Sequence, residues 1–260
     1  MSLNRELLQK FGNNISDNAK LSNYSWFNLG GPAEYLFKPA NKTQLIEFLK
    51  DNLKNKLKIT VLGAGSNTLI RDKGIKGAVI KLGSSFSEIS LIDKDIIQVG
   101  AATLDRKISN FATENSVGDL EFLSCIPGSI GGAVIMNSGC YGNDISKVLI
   151  SINTIDINSC EEKEIKREEI DFSYRGTNLS NELIITSVKL RGKTESYEII
   201  KKKQQKYIER KKLSQPSQIK TCGSTFKNLS EEKKAWKLIK ETGCDKLREG
   251  DATISEKHCN

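Results

Sequence analysis

A chain of 260 residues can bury a sizeable core and has room for one to three small domains. With 37% hydrophobic and 28% charged residues and four prolines, it is excluded from the disordered, collagen-like and linker-rich classes. The formal net charge of +8 is concentrated: Ser196 to Asn260 holds sixteen Lys/Arg against nine Asp/Glu. That surplus fits three uses: a solvated helix face, attraction of a small anion such as a nucleotide diphosphate, or contact with nucleic acid. The opening MSLNRELLQKFGNN lacks the apolar centre of a signal peptide, and no apolar run approaches the roughly 20 residues that span a bilayer. The expectation is a cytoplasmic protein without a membrane partner.

In chain order, AEYLFKP (33–39) predicts a strand with Ala33, Tyr35 and Phe37 on one face. NKTQLIEFLKDN (41–52) predicts a capped helix burying Leu45, Ile46, Phe48 and Leu49. KITVL (58–62) and GAVIKL (77–82) predict short strands around a glycine-rich loop. IIQVG (96–100) predicts a strand before a second helix capped by Thr103, with Leu104, Ile108, Phe111 and Ala112 inward. LISINTIDI (149–157) and LIITSVKL (183–190) predict a second small sheet. From about residue 195 the pattern turns helical and charged. KKKQQKYIERKK sets Ile200, Tyr207 and Ile208 opposite its lysines, Pro216 and CGSTFKN interrupt, and EEKKAWKLIKET (231–242) predicts a last helix. The main division is expected near residue 195 and a softer one near 84. The end, ISEKHCN, resembles a cut inside an element, so further C-terminal residues are expected.

The six cysteines, Cys125, Cys140, Cys160, Cys222, Cys244 and Cys259, include no C-x-x-C pair. They predict reduced, mostly buried thiols and neither a zinc site nor another metal centre.

Two loops carry a ligand signal. LGAGSN (62–67) follows an apolar strand with small residues whose backbone N–H groups can ring an anion. It is not a Walker loop, because no Lys-Ser/Thr follows, and Thr68 stands where a dinucleotide fingerprint needs its third glycine. Alone it reads equally as a tight turn. PGSIGGAVIMNSGCYG (127–142) holds five glycines in sixteen residues. Such density destabilises a chain through conformational entropy, and it points to backbone lying against a flat or phosphorylated ligand.

LGAGSN, PGSIGGAVIMNSGCYG, FSYRGTN and CGSTFKN, in this order and at these separations, resemble the UDP-N-acetylenolpyruvoylglucosamine reductase family from about Tyr24 onward. The resemblance implies an α+β fold: a two-lobed FAD-binding domain of the vanillyl-alcohol oxidase / p-cresol methylhydroxylase type, plus a smaller substrate domain. The expected boundaries are 1–195, with lobes of about 1–84 and 85–195, and 196–260. It implies non-covalent FAD wrapped by Leu62, Gly63, Ala64, Gly65, Ser66 and Asn67 and by Pro127, Gly128, Ser129, Ile130, Gly131 and Gly132. The chain departs from the family at Ser138 and Cys140, where alanines are usual, and at Thr177 and Leu229.

The activity implied is NADPH-dependent reduction of an enolpyruvyl UDP-sugar to UDP-N-acetylmuramate for peptidoglycan, with a flavin oxidase of the same fold as the alternative. Arg175 in FSYRGTN matches the family's catalytic arginine, a permanent cation able to pair with the carboxylate on which charge develops. Ser224 in CGSTFKN matches its proton donor, so the serine needs no histidine to make it a nucleophile. Tyr174, Lys227 and Asn228 are the candidates for binding substrate. The family's catalytic glutamate is expected beyond Asn260. His258 is a poor candidate for a flavin link, being remote in sequence from the FAD loops. The basic end then serves NADPH and the UDP-sugar instead of nucleic acid.

Overall fold

Two sheets divide the chain close to residue 84. The computed structural model describes residues 3–214, 221, 223–230 and 232–260, so the expectations for Pro216 and Cys222 lie outside the described residues. The first sheet comprises β1 (Ile15–Lys20), β2 (Pro32–Phe37), β3 (Ile59–Val61) and β4 (Ile75–Ile80) in the order β1-β2-β4-β3. β1 and β2 are antiparallel, whereas β2 and β3 each run parallel to β4. Parallel strands need a crossover, and α2 (Lys42–Asn55) supplies one between β2 and β3.

Asn41 starts α2 by accepting the Gln44 N–H at 2.9 Å. The helix buries Leu45, Phe48 and Leu49 and half-buries Ile46, as its spacing predicts. Phe48 stacks on Phe37 at 4.1 Å, and Phe11 of α1 (Leu3–Phe11) meets both rings edge-on. Such pairs contribute about 0.5–1.5 kcal/mol beyond their area. β2 departs from a single apolar face. Tyr35 and Phe37 join this cluster, but Ala33 packs with Leu36, Leu62 and Val79, because the pairing with β4 shifts register between Ala33 and Tyr35.

The second sheet is antiparallel throughout. It contains β5 (Ile89–Asp93), β6 (Ile96–Gly100) and the strands Leu149–Asp156, Glu162–Lys166 and Leu183–Arg191. The last pairs with both β6 and Leu149–Asp156, so the two strands expected to form a small sheet join β6 in a larger one. β5 and Glu162–Lys166 are its edges and are largely exposed, with apolar Leu91 and Ile92 of β5 turned to solvent, so neither shows a buried face in its sequence pattern.

α3 (Asp105–Glu114) corrects the expected cap. Thr103 makes no capping bond: its carbonyl accepts Ile130 N–H at 2.9 Å, and Asp105 N–H donates to Gly128 O at 3.0 Å. This short bridge to the loop 127–132 starts the helix at Asp105. It also leaves Leu104 43% exposed instead of inward, while Ile108 and Ala112 are buried and Phe111 half-buried.

α4 (Ile130–Ile135) follows the bridge and buries Ile130, Ala133 and Val134. α5 (Tyr197–Ser214) lies on α3 and on the turn Glu121–Cys125, with buried Gln204 donating to Ser109 Oγ and Asn110 Oδ1 at 3.0 Å. Ile200 is buried and Tyr207 and Ile208 half-buried, so the apolar side of this basic helix rests on α3 and that turn. α6 (Ala235–Glu241) is shorter than the expected element, because Asn228 Oδ1 accepts the Ala235 N–H at 3.0 Å and fixes the start there. No described helix is long and apolar enough to cross a membrane.

Candidate active site

Both glycine-rich loops line one cavity of about 930 Å³. Leu62 to Asn67 leave β3 along its wall, joined there by Pro127, Gly128, Ser129, Gly131 and Gly132. The loops touch: a Cβ on Gly63 would fall 2.7 Å from Ser129 Oγ, and one on Gly128 would fall 2.9 Å from Asp105 Oδ2. Ile130 is the exception among the expected cofactor residues. Its side chain is fully buried in the core and its N–H is taken by Thr103, because the bridge to residues 103–105 turns this residue inward.

Among the described residues, the N–H groups of Gly63 through Asn67 and of Gly128 and Ser129 have no hydrogen-bond partner within the chain. Unpaired donors on two adjoining loops suit a polyanion such as a pyrophosphate. The side chains agree in sign: Lys81, Arg175, Lys211, Lys227 and Lys234 line the cavity, against Asp105 as its only acid among the described residues. Asp105 is completely buried, and burial pushes its carboxyl well above the usual range, toward neutrality. These residues fit FAD, a flat ring system carried on a pyrophosphate.

Gly65 shows how closely the first loop is held. It adopts φ +71°, and a Cβ there would lie 1.9 Å from the Tyr24 carbonyl oxygen. Gly65→Ala therefore either moves the loop or breaks its hydrogen bond to Trp26 N–H. The expected outcome is an FAD affinity at least about tenfold weaker, or ~1.4 kcal/mol, by flavin fluorescence titration. Wild-type affinity would contradict the role of this loop.

Arg175 reaches the cavity from a two-residue turn between strands Phe172–Ser173 and Gly176–Thr177. It takes the left-handed conformation at φ 61°, which costs a non-glycine residue about 1–2 kcal/mol and persists where the surroundings hold it. Thr177 Oγ1 donates to Ile135 O at 3.3 Å and Asn137 Nδ2 donates to Ser173 O at 3.2 Å, tying the turn to the end of α4. The guanidinium lies 5.7 Å from the Tyr174 ring, a cation–π contact on a tyrosine that is itself 56% exposed.

The third segment brings Ser224 to the same cavity. Gly223 enters it at φ +83°, and Asn260 holds both backbone groups of Phe226, accepting its N–H at 2.8 Å and donating to its carbonyl at 3.0 Å. Lys227 Nζ donates to Arg175 O at 3.3 Å, so the serine and arginine segments are joined directly. Asn228 lines the cavity, but its Oδ1 is occupied with the start of α6.

Several lining residues escaped the sequence reading. Lys81 donates to Gly63 O at 2.7 Å, and Lys211 donates to Cys125 O at 2.6 Å; burial holds both below the usual lysine range. Lys211 belongs to the helix whose lysines read as a solvated face, and only the docking of α5 turns it inward. His258 also lines the cavity, although it is remote in sequence from the loops around it.

Comparison with known proteins agrees with this geometry. An FAD binding domain matches residues 33–159, and the C-terminal domain of UDP-N-acetylenolpyruvoylglucosamine reductase matches residues 215–260. The UDP-N-acetylenolpyruvoylglucosamine reductase of Pelagibacter ubique is 44% identical over 98% of this chain and 86% of its own length. The chain belongs to the UDP-N-acetylenolpyruvoylglucosamine reductase family. That of Orientia tsutsugamushi is 41% identical over 97% of the chain and 84% of its own. The crystal structure of the reductase from Thermus caldophilus superposes with a TM-score of 0.82 at 31% identity, covering 93% of this chain and 85% of that one. p-Cresol methylhydroxylase, at TM-score 0.54 and 14% identity over 74% of this chain and 43% of its own, shares the fold alone. The expected α+β fold with its flavin-binding type is thus the observed one.

Proposed function

We infer that this chain reduces the enolpyruvyl ether of UDP-N-acetylglucosamine to UDP-N-acetylmuramate, with FAD as cofactor and NADPH as electron donor, in peptidoglycan synthesis. Membership of the reductase family supports the activity. The observation that carries the residue roles is convergence: Arg175, Ser224 and Lys227, from two distant segments, line the cavity of the two glycine loops.

FAD, when bound, relays hydride from NADPH to the terminal alkene carbon of the substrate. Arg175 pairs with the substrate carboxylate and stabilises the negative charge that hydride addition puts there. The Ser224 hydroxyl gives its proton to the adjacent carbon. A hydroxyl is a weak acid, but its acceptor is a carbanion, and the cations Arg175 and Lys227, which line the same cavity, stabilise the resulting alkoxide. Tyr174 and Lys227, which also line the cavity, bind the sugar and phosphates of the substrate. Asn228 acts mainly by holding the serine loop against α6, given its bond to Ala235. The cationic wall suits three anionic ligands in turn, so a cytoplasmic enzyme acting on soluble nucleotides, without nucleic acid, is the reading we adopt.

Steady-state assay tests this. NADPH oxidation should depend on the enolpyruvyl UDP-sugar, with UDP-N-acetylmuramate identified by mass. NADPH oxidation that needs only oxygen, without that product, would make the chain a flavin oxidase.

A further inference from the structure

Two thiols that the proton-transfer chemistry does not use meet in the wall of the cavity. Cys125 ends the turn Glu121–Cys125, directly before the loop 127–132, and Cys140 lies in the short strand Gly139–Cys140 that packs against that turn. The Cys140 thiol donates to Phe122 O at 3.4 Å, which holds its sulfur on the very turn that carries Cys125. Cys125 Sγ lies 3.8 Å from Ser124 Oγ, and its carbonyl receives the Lys211 ammonium at 2.6 Å. Of the other described cysteines, Cys160 packs in the core cluster around Phe37 and Phe48, the thiol of Cys259 donates to the Trp236 carbonyl, and Cys244 lies half-buried in the turn Cys244–Lys246.

The surroundings give the two sulfurs different roles. The neighbouring Cys140 thiol, then the Ser124 hydroxyl and the charge of Lys211, hold the Cys125 thiol below its ordinary range against the opposing effect of burial. Cys140 is pushed up by its neighbour Cys125 and by burial. One thiol is thus the nucleophile and the other keeps its proton beside it, the division of labour that lets a dithiol react in sequence.

We propose that Cys125 and Cys140 form a reversible dithiol/disulfide site that takes small hydroperoxides entering the catalytic cleft. The Cys125 thiolate attacks the peroxide, the O–O bond breaks, and sulfenic acid forms on Cys125 with release of hydroxide, which takes up a proton as water. Cys140 then attacks the sulfenic sulfur; its S–H proton and the departing hydroxyl leave as a second water, and the S–S bond forms. The two thiols lose two electrons in all, and hydrogen peroxide is reduced to two waters. The disulfide ties the head of the loop Pro127–Gly132 to the strand at 139–140, two parts of one wall, so oxidation acts directly on the cofactor cleft. A cellular dithiol or dithiothreitol reverses it by thiol exchange.

The test uses the FAD-loaded enzyme, one equivalent of hydrogen peroxide, thiol titration and peptide mapping. The expected result is loss of two of the six thiols, a Cys125–Cys140 crosslinked peptide, and recovery of both thiols with dithiothreitol. Cys140→Ser should stop at a sulfenic acid on Cys125, trapped by dimedone, and Cys125→Ser should suppress the rapid phase. A crosslink to Cys222 or any other cysteine, over-oxidation of Cys125 in the wild type without a crosslink, or no thiol loss would each overturn the proposal. The wild-type peptide map decides the matter even if a variant fails to fold.

Discussion

Ser224→Ala is expected to leave reduction of the flavin by NADPH close to the wild-type rate and to slow its reoxidation by the enolpyruvyl substrate by about 10²–10⁴-fold. The asymmetry follows from chemistry. NADPH surrenders a hydride without needing a proton from the protein, whereas the second half-reaction leaves a carbanion that must be protonated. Ser224 is exposed on the cavity wall, and Gly223 and the Asn260 clamp on Phe226 shape its loop through the backbone. Alanine therefore removes the hydroxyl and leaves the loop in place. Stopped-flow absorbance of the flavin separates the two steps. Equal slowing of both would remove Ser224 from the proton-transfer role and make it a residue of cavity shape.

Arg175→Lys should also damage the second half-reaction selectively, by about 10²–10³-fold. Lysine keeps the charge and adopts φ 61° no less readily than arginine, so the turn and its ties to Ile135 and Asn137 survive. What is lost is the planar fork that can hold a carboxylate by two parallel hydrogen bonds, together with stacking over Tyr174. Thermal unfolding should be unchanged while reoxidation slows. Normal reoxidation would show that a point charge near the substrate suffices, and Lys227, bonded to the Arg175 carbonyl, would become the leading candidate for that charge.

The loops that line the candidate cofactor cavity were legible because glycine and serine density is a local property. A backbone that must lie against a ligand is written in consecutive residues, and 62–67 and 127–132 could be read without knowing what faces them. Ile130 shows the limit. Its place in the motif says nothing of the bridge to Thr103 that turns it into the core. The strands and helices with strong apolar periodicity, such as Lys42–Asn55, were equally legible. The edges β5 and Glu162–Lys166 were not, since a solvated edge strand needs no alternation. Long-range convergence was the least accessible part. Lys211 reads as one more lysine on a basic helix, His258 as a residue far from the loops, and Cys125 and Cys140 as separate buried thiols, until the packing of α5, the strand at 139–140 and the C-terminal segment brings each to the cavity.

The account rests on one cavity serving two successive redox partners, and an anaerobic titration of the FAD-loaded protein tests it most directly. NADPH should bleach the bound flavin, and the enolpyruvyl UDP-sugar, added next without oxygen, should restore its absorbance stoichiometrically while UDP-N-acetylmuramate appears. Flavin that NADPH cannot bleach, or that only oxygen restores, would contradict it.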